Sequence, residues 1–415
     1  MPRMTGLRGA HAYYLSATAA RLADDMVAVT AVLLVLDRTG SAPLAGVTVS
    51  AYTLPALVSG PLLGAWLDRT PYRRAALASG QLLVAASVLG LAVVAGHAPG
   101  WTCPLVASAC GAALPLTSGG FTSMLPSLVP AATLPEANAV DAITHNTAAI
   151  LGPAAAGALA AGIDPGTAAW VTATIAVASA LTLAAVPAAP HRTAAAAPGL
   201  LAAVRTGLRH LAATRPLRAA TSATTVGFGG LGLLVVAFPL RAEQLGESRN
   251  AGGYLWAAIE VGSIGGTLLA TRYLRRRRPE RTVLLALGLY GAVMACWPLA
   301  GTFAVALALA VVAGLAGGPL LSALFATRQR YTPPGLLGQI STTGASLKLA
   351  AFSLGSAMGG RVVPAFGPEP VLVVVALAQL AGAATGWFIG RPVGRHRRSV
   401  LTHRTPAPSW YGTRS

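Results

Sequence analysis

Residues 60–74 read GPLLGAWLDRTPYRR. An apolar run carrying Gly60 and Gly64 stops at Asp68 and Arg69, turns through Pro71, and meets Arg73 and Arg74 before the chain becomes apolar again at Ala75. Glycines four residues apart let two membrane helices approach closely. A charge cluster in so short a loop marks the cytoplasmic side of a bilayer. The stretch therefore predicts two membrane helices joined by a tight inner loop.

The rest of the chain repeats that pattern. Of its 415 residues 54% are hydrophobic and 10% charged, and the mean hydropathy is +0.63. Soluble proteins carry about 25% charged residues, so an all-α integral membrane protein is expected. The length suits roughly twelve helices of about 20 residues each. Apolar segments fall at 13–36, 42–66, 74–96, 101–125, 136–162 and 166–187, then at 217–240, 251–273, 282–300, 302–326, 338–363 and 369–390.

The formal net charge of +18 is no nucleic-acid footprint, because the bases are sorted. All but Arg21, Arg38, Arg241, Arg249, Lys348 and Arg361 fall in or beside alternate loops. Those loops, 67–73, 126–135, 188–216, 274–281 and 327–337, belong in the cytoplasm with both termini, and Arg328 is among their charges. The same charge suits anionic lipid head groups. Asp164, Glu243, Glu247 and Glu369 fall in the opposite loops. Cys103, Cys110 and Cys296 lie in apolar segments and read as reduced packing residues, with no metal site and no cofactor implied. Arg21, Asp24 and Asp25 interrupt the first apolar stretch, which reads as a retained helix and not a cleaved signal.

Four parts are expected: a six-helix bundle over 1–187, a linker over 188–216, a second bundle over 217–390 and a basic tail over 391–415. Within the linker, Leu200, Leu201, Val204, Leu208 and Leu211 recur at helical spacing against Arg205 and Arg209. That pattern is an amphipathic helix lying on the inner surface. The halves repeat weakly at an offset of about 202–204 residues. Gly60 and Gly64 match Gly262 and Gly266, Pro115 and Pro130 match Pro319 and Pro334, and Leu151, Gly152 and Gly157 match Leu354, Gly355 and Gly360. Several matches in register suggest two duplicated bundles of six.

Charges at membrane depth are functional candidates. Arg21 can meet Asp24 at i+3 or Asp25 at i+4, but the two carboxylates point about 100° apart and one base cannot serve both equally. A carboxylate deprived of water and of a base can take up and release protons; the other reading is an ion pair that fixes the helix in the bundle. Asp141 and His145, at i and i+4, form either a proton relay or a stabilising pair. Glu260 and Lys348 fall at similar depth on oppositely running helices, which suggests a neutralising pair. Tyr52, Asn146, Tyr254, Trp256, Gln339 and Thr343 are expected to line a cavity fit for amphipathic or aromatic solutes.

The 60–74 stretch resembles the signature loop of the major facilitator superfamily, G-x-x-x-D-R-x-G-R-K, between the second and third helices. Gly64, Asp68, Arg69 and Arg73 lie on the motif, Pro71 and Tyr72 replace the usual Gly and base, and Arg74 extends the basic run. At the inner end of its helix Asp68 can sit near the positive N-terminus of another helix and pair with a nearby Arg, and the resemblance implies that this loop closes an inner gate by contacting the eleventh helix, beginning near Leu337. The fifth segment is similar to the antiporter core G-P-x-x-x-G at Gly152, Pro153 and Gly157, where Pro removes a helical hydrogen bond and glycine permits close packing. The first helix looks like that of bacterial exporters in which an acidic residue couples protons to export, which here implies a role for Asp24 or Asp25.

No G-x-x-x-x-G-K-[ST] loop occurs, which argues against an ATP-driven pump, and no H-E-x-x-H or clustered histidines favour a membrane enzyme. The reading is a monomeric, non-enzymatic secondary transporter of the cell membrane, exporting small amphipathic molecules against protons. The alternatives are a proton-coupled uptake permease and, in a different class, a membrane enzyme or receptor.

Overall fold

The computed structural model describes residues 10–187, 199–248, 251–274 and 278–391. The basic start Met1–Arg8, Pro190 to Arg192, Arg249, Arg275 to Arg277, and the tail with Arg395 and Arg398 lie outside them. Among the described residues there is no strand.

The helices are α1 (Ala10–Thr39), α2 (Pro43–Arg69), α3 (Arg73–Val94), α4 (Thr102–Leu128), α5 (Leu134–Gly162) and α6 (Pro165–Ala185). Then come α7 (Leu200–Ala213), α8 (Arg215–Gly232 with Leu234–Gln244, bent by 42°) and α9 (Gly252–Leu274). The last four are α10 (Pro279–Leu299), α11 (Phe303–Tyr331), α12 (Leu337–Phe366) and α13 (Pro368–Gly390). Eight are apolar and long enough to cross a membrane, and α8 is a ninth when its bent pair is one span. Helices α1, α5 and α9, with 30, 29 and 23 residues, are about 35–45 Å long and also reach across. These three hold most of the intramembrane charges. At 14 residues, α7 is too short to span. Twelve spans plus one short helix is the expected architecture.

Local chemistry starts several helices. Asp164 is extended and accepts the Thr167 amide at 3.0 Å, capping α6, and Pro165 occupies the first turn where no amide is needed. Bonds from the Thr167 hydroxyl and amide, with Arg38 nearby, hold the Asp164 carboxyl below the usual carboxylate range. Thr302 caps the Phe303 helix in the same way.

The apolar core is divided between the halves. One cluster packs Leu34, Val84, Val88 and Ala173, and another packs Phe238, Ile259, Tyr290, Trp297 and Val375. Helix α7 is attached to the second half through Leu211, against Leu217 and Ile340. At the end away from α7, buried Arg241 pairs with Glu369 and donates to the Ala300 carbonyl at 2.8 Å, tying α8 to the ends of α10 and α13.

The glycine pairs matched by the repeat have different partners. Gly262 and Gly266 pack within their own half: a Cβ on Gly262 would lie 2.1 Å from the Val311 carbonyl oxygen, and one on Gly314 2.0 Å from that of Ile259. Helices α9 and α11 thus touch backbone to backbone, which only small residues allow. Gly314→Val is expected to force them apart and destabilise the protein by about 1–3 kcal/mol or more. Melting of the detergent-solubilised protein checks this against Gly301→Ala, whose Cβ would meet nothing within 4 Å. Equal melting of the two variants would refute the wedge.

Candidate functional site at the interface between the halves

The loop that organises the sequence ends on the opposite half. The Asp68 carboxylate is 1% exposed and caps α12, accepting the Gly338 amide at 2.7 Å and the Gln339 amide at 2.8 Å. These are orphan donors of a helix N-terminus, where a negative charge is favoured. Arg73 holds the carboxylate from the side at 3.3 Å and donates to the Leu67 carbonyl. Arg74 donates to the Val186 carbonyl at the end of the first half, and Arg69 keeps a buried Nη1 without a partner. One and two turns back from Asp68, Gly64 and Gly60 let α2 press on α12. A Cβ on Gly64 would lie 2.5 Å from Gln339 Cα, and the Thr342 hydroxyl donates to the Gly60 carbonyl at 2.7 Å.

Three further contacts complete this closed end. Asn138 on α5 and Gln329 on α11 exchange side-chain amide bonds at 2.7 and 2.9 Å. Gln339 donates to the Val204 carbonyl of α7 at 2.8 Å, and His210 bonds the Tyr331 carbonyl at 2.9 Å. Among the described residues, every hydrogen bond between the two halves lies at this end. Gln339, expected to line a cavity, is instead part of the closure.

Deeper in the first half, Arg21 is not paired with its helical neighbours. It crosses to α5, bonding the Asp141 carboxylate at 2.9 Å and the Asp141 carbonyl at 3.1 Å, with Thr144 beside it. Tyr13 and Thr122 donate to the same carboxylate at 2.9 and 2.8 Å. The expected Arg21–Asp24 or Arg21–Asp25 pair therefore does not form, because α5 offers a carboxylate and a carbonyl together. The Asp141–His145 pair fails for the same reason: Asp141 is fully engaged elsewhere. The His145 ring lies 5.7 Å from that of Phe325 on α11, and its Nε2 is buried without a partner.

Asp24 and Asp25 are left without a base within 4 Å. Asp24 is buried with Oδ1 unpartnered, its carbonyl accepts the Tyr52 hydroxyl at 3.2 Å, and Thr117 stands beside its carboxyl. Thr117 accepts from Gln81 at 2.7 Å and sits in a five-residue π-helical segment, Leu116–Gly120, after Pro115. Such insertions recur at functional sites; here a Cβ on Gly119 of the same segment would lie 2.7 Å from Thr342 Cα of the opposite half. Asp25 packs where α5 comes closest. A Cβ on Gly152 would lie 2.6 Å from Asp25 Cβ and 3.0 Å from its carbonyl carbon. Gly157 has nothing within 4 Å, so the close packing expected of both glycines belongs to Gly152 alone, and α5 runs helical through Pro153. Across the interface, Glu260 on α9 lies close enough for its charge to interact with that of Asp25.

Glu260 and Lys348 do not pair. Lys348 Nζ lies 4.5 Å from the Phe228 ring centre, a cation–π contact. Depth along the two helices matches, but their faces do not. Arg328, read from the sequence as a loop charge, is 3% exposed in the last turns of α11. Its Nη1 reaches the Ser341 carbonyl at 3.3 Å, whereas Nε and Nη2 are buried without partners against Gly344. Of the other expected lining residues, Asn146 and Thr343 are buried, Tyr52 packs on Gly111, Trp256 stacks on Phe238 and Phe352, and Tyr254 is exposed. The arrangement leaves Asp24, Asp25 and Glu260 without an ion-pair partner within 4 Å among the described residues, and it closes the α7 end through Asp68.

Comparison with known proteins agrees with this architecture. The profile of the Major Facilitator Superfamily matches residues 13–360. An MFS-type transporter, y4rN of Sinorhizobium fredii, is 31% identical over 379 residues, covering 87% of this chain and 90% of that one. The multidrug efflux pump Tap of Mycobacterium tuberculosis is 31% identical over 392 residues, covering 89% and 91%. Among solved structures, the human organic anion transporter MFSD10 superposes with a TM-score of 0.75 at 16% identity, over 93% of this chain and all of that one. A bacterial homologue of the iron transporter ferroportin gives 0.73 at 16% identity, over 92% and 98%. With its helical repeat, its signature loop and this match over most of its length, the chain belongs to the major facilitator superfamily and is a membrane transporter, not an enzyme.

Proposed function

We propose that this transporter exports small amphipathic molecules in exchange for protons, by alternating access through the interface between its halves. The observation that carries the proposal is the unneutralised set Asp24, Asp25 and Glu260. The nearest guanidinium, Arg21, makes its ion pair with Asp141, so none of the three carboxylates has an ion-pair partner within 4 Å among the described residues, and Asp25 and Glu260 feel each other's charge. Like charges in such a place are costly, and a proton on any one relieves that cost. Protonation is thereby coupled to how the halves meet, since Asp25 lies against α5 and Glu260 comes from the other half. The sorting of basic residues supports a cytoplasmic closed end, and on that reading the arrangement is outward-open with Asp68 as its inner latch. The likeness to Tap supports export over uptake. Both sides of the interface come from one chain, which supports a monomer as the working unit.

The test is substrate-induced proton flux in energised inverted membrane vesicles given a panel of amphipathic compounds. Asp25→Asn is expected to abolish pH-driven transport while the protein stays folded in the membrane. Full gradient-dependent activity in that variant would move the coupling site to Asp24 or Glu260. Full activity in Asp24→Asn, Asp25→Asn and Glu260→Gln alike would sink proton coupling. Substrate movement driven in the opposite sense would replace export by uptake.

A further inference from the structure

On the outer face of the second half, α10 and α13 leave a groove of about 820 Å³ between them. Gly288, Ala383 and Ala384 make its floor, and Leu285, Leu289, Trp387 and Phe388 stand along its sides. These four large side chains are 50–66% exposed, so the groove opens outward from the bundle, where a spanning helix meets acyl chains. From Arg281 to Leu289 the groove follows α10 for about 12 Å, the length of much of a lipid tail. Its chemistry is not uniform.

Three arginines crown one end. Arg278 and Arg281 line the groove at the start of α10, and Arg391 lies at the end of α13 with its guanidinium 5.0 Å from the Phe388 ring centre and 5.9 Å from that of Trp387. Stacking fixes that charge above the groove. None of the three pairs with a carboxylate among the described residues. Glu280, between Arg278 and Arg281 in the chain, accepts the Tyr331 hydroxyl at 3.0 Å and forms no ion pair with them. An apolar slot below and a fixed triple positive charge above form a complement to one molecule of the surrounding bilayer. We propose that this groove binds an anionic phospholipid, its phosphate against Arg278, Arg281 and Arg391 and one acyl chain along Gly288 and Ala384. A zwitterionic lipid offers the same chain without net charge and is discriminated against at the head group. The site faces away from the interface between the halves, so it does not depend on proton coupling or on the direction of transport.

The experiment uses the full chain in nanodiscs containing phosphatidylglycerol or phosphatidylcholine with brominated acyl chains, which quench nearby tryptophan. The difference between the native chain and Trp387→Phe isolates the signal of Trp387. Quenching of Trp387 is expected at about fivefold lower mole fraction of the anionic lipid than of the zwitterionic one, or lower still, since a single base near a membrane surface already adds roughly fivefold preference. Arg281→Gln with Arg391→Gln, both at exposed positions, should remove the preference and leave quenching by phosphatidylcholine unchanged. Equal quenching by the two lipids, a preference that survives the double substitution, or no quenching by either would each overturn the proposal.

Discussion

Asp68→Ala is expected to shift the protein away from the closed arrangement by about 2–4 kcal/mol, roughly 30- to 700-fold in the equilibrium between closed and open at the α7 end. The size follows from what the carboxylate does. It accepts two backbone amides of α12 in a site from which water is nearly excluded, and both bonds are charge-assisted. Alanine leaves the Gly338 and Gln339 amides without acceptors as long as α2 and α12 stay packed; opening lets water reach them. Asp68→Asn keeps one acceptor oxygen and should fall between. Spin labels at Ser127→Cys and Gly335→Cys, one on each half at this end and both exposed, would report the change as a longer and broader distance distribution. An unchanged distribution in Asp68→Ala would show that the carboxylate does not hold the closure.

Arg21→Met is expected to be the most destabilising single change in the first half, by about 3–5 kcal/mol. It strips the guanidinium from Asp141, which is fully buried and would keep only the Tyr13 and Thr122 hydroxyls. A buried carboxylate without its base is far more costly than the intact pair is beneficial. Arg21→Met combined with Asp141→Leu should therefore recover much of the loss, so the two substitutions are strongly non-additive. Unfolding of the solubilised protein for the four members of this cycle measures the coupling. Additive effects would mean that the network does not act as a unit. The same network explains why Asp24 and Asp25, only one turn from Arg21, are free for another purpose.

Much of this was legible in the sequence, and the failures share one cause. The spans, the short amphipathic helix and the junction at 60–74 follow from apolar run lengths, glycine spacing and charge sorting, all properties of the chain itself. Contact between the Asp68 loop and α12 was expected only through a family resemblance; nothing local in the sequence names the Gly338 and Gln339 amides as the partners of Asp68. Arg21 shows the limit directly. Helical spacing identifies Asp24 and Asp25 as neighbours, but it carries no information about Asp141, 120 residues away on a packed helix. Glu260 and Lys348 were matched in depth because rise per residue is predictable, and mismatched because rotation about the helix axis is not. Arg328 was taken for a loop charge since Arg328, Gln329 and Arg330 lower the local hydropathy. The helix in fact continues through them to Tyr331. Asn138 and Gln329 form the cross-half amide pair and gave no signal, being single polar residues near the ends of apolar runs.

Arg328 also bears on time. On the alternating-access proposal, each closure of the α7 end would strip water from the Arg328 guanidinium and return one long bond, to the Ser341 carbonyl. That debt opposes the Asp68 cap and is of the same order, a few kcal/mol. Two opposed contributions of similar size would leave a small remainder, which on that proposal puts the closed end near the balance point with a short lifetime. A chain with Asp68 but without Arg328 would close well and reopen slowly, and its turnover would be limited by the dwell in that one state. On that proposal the unsatisfied arginine is a return spring, weakening one conformation so that the cycle does not stall there.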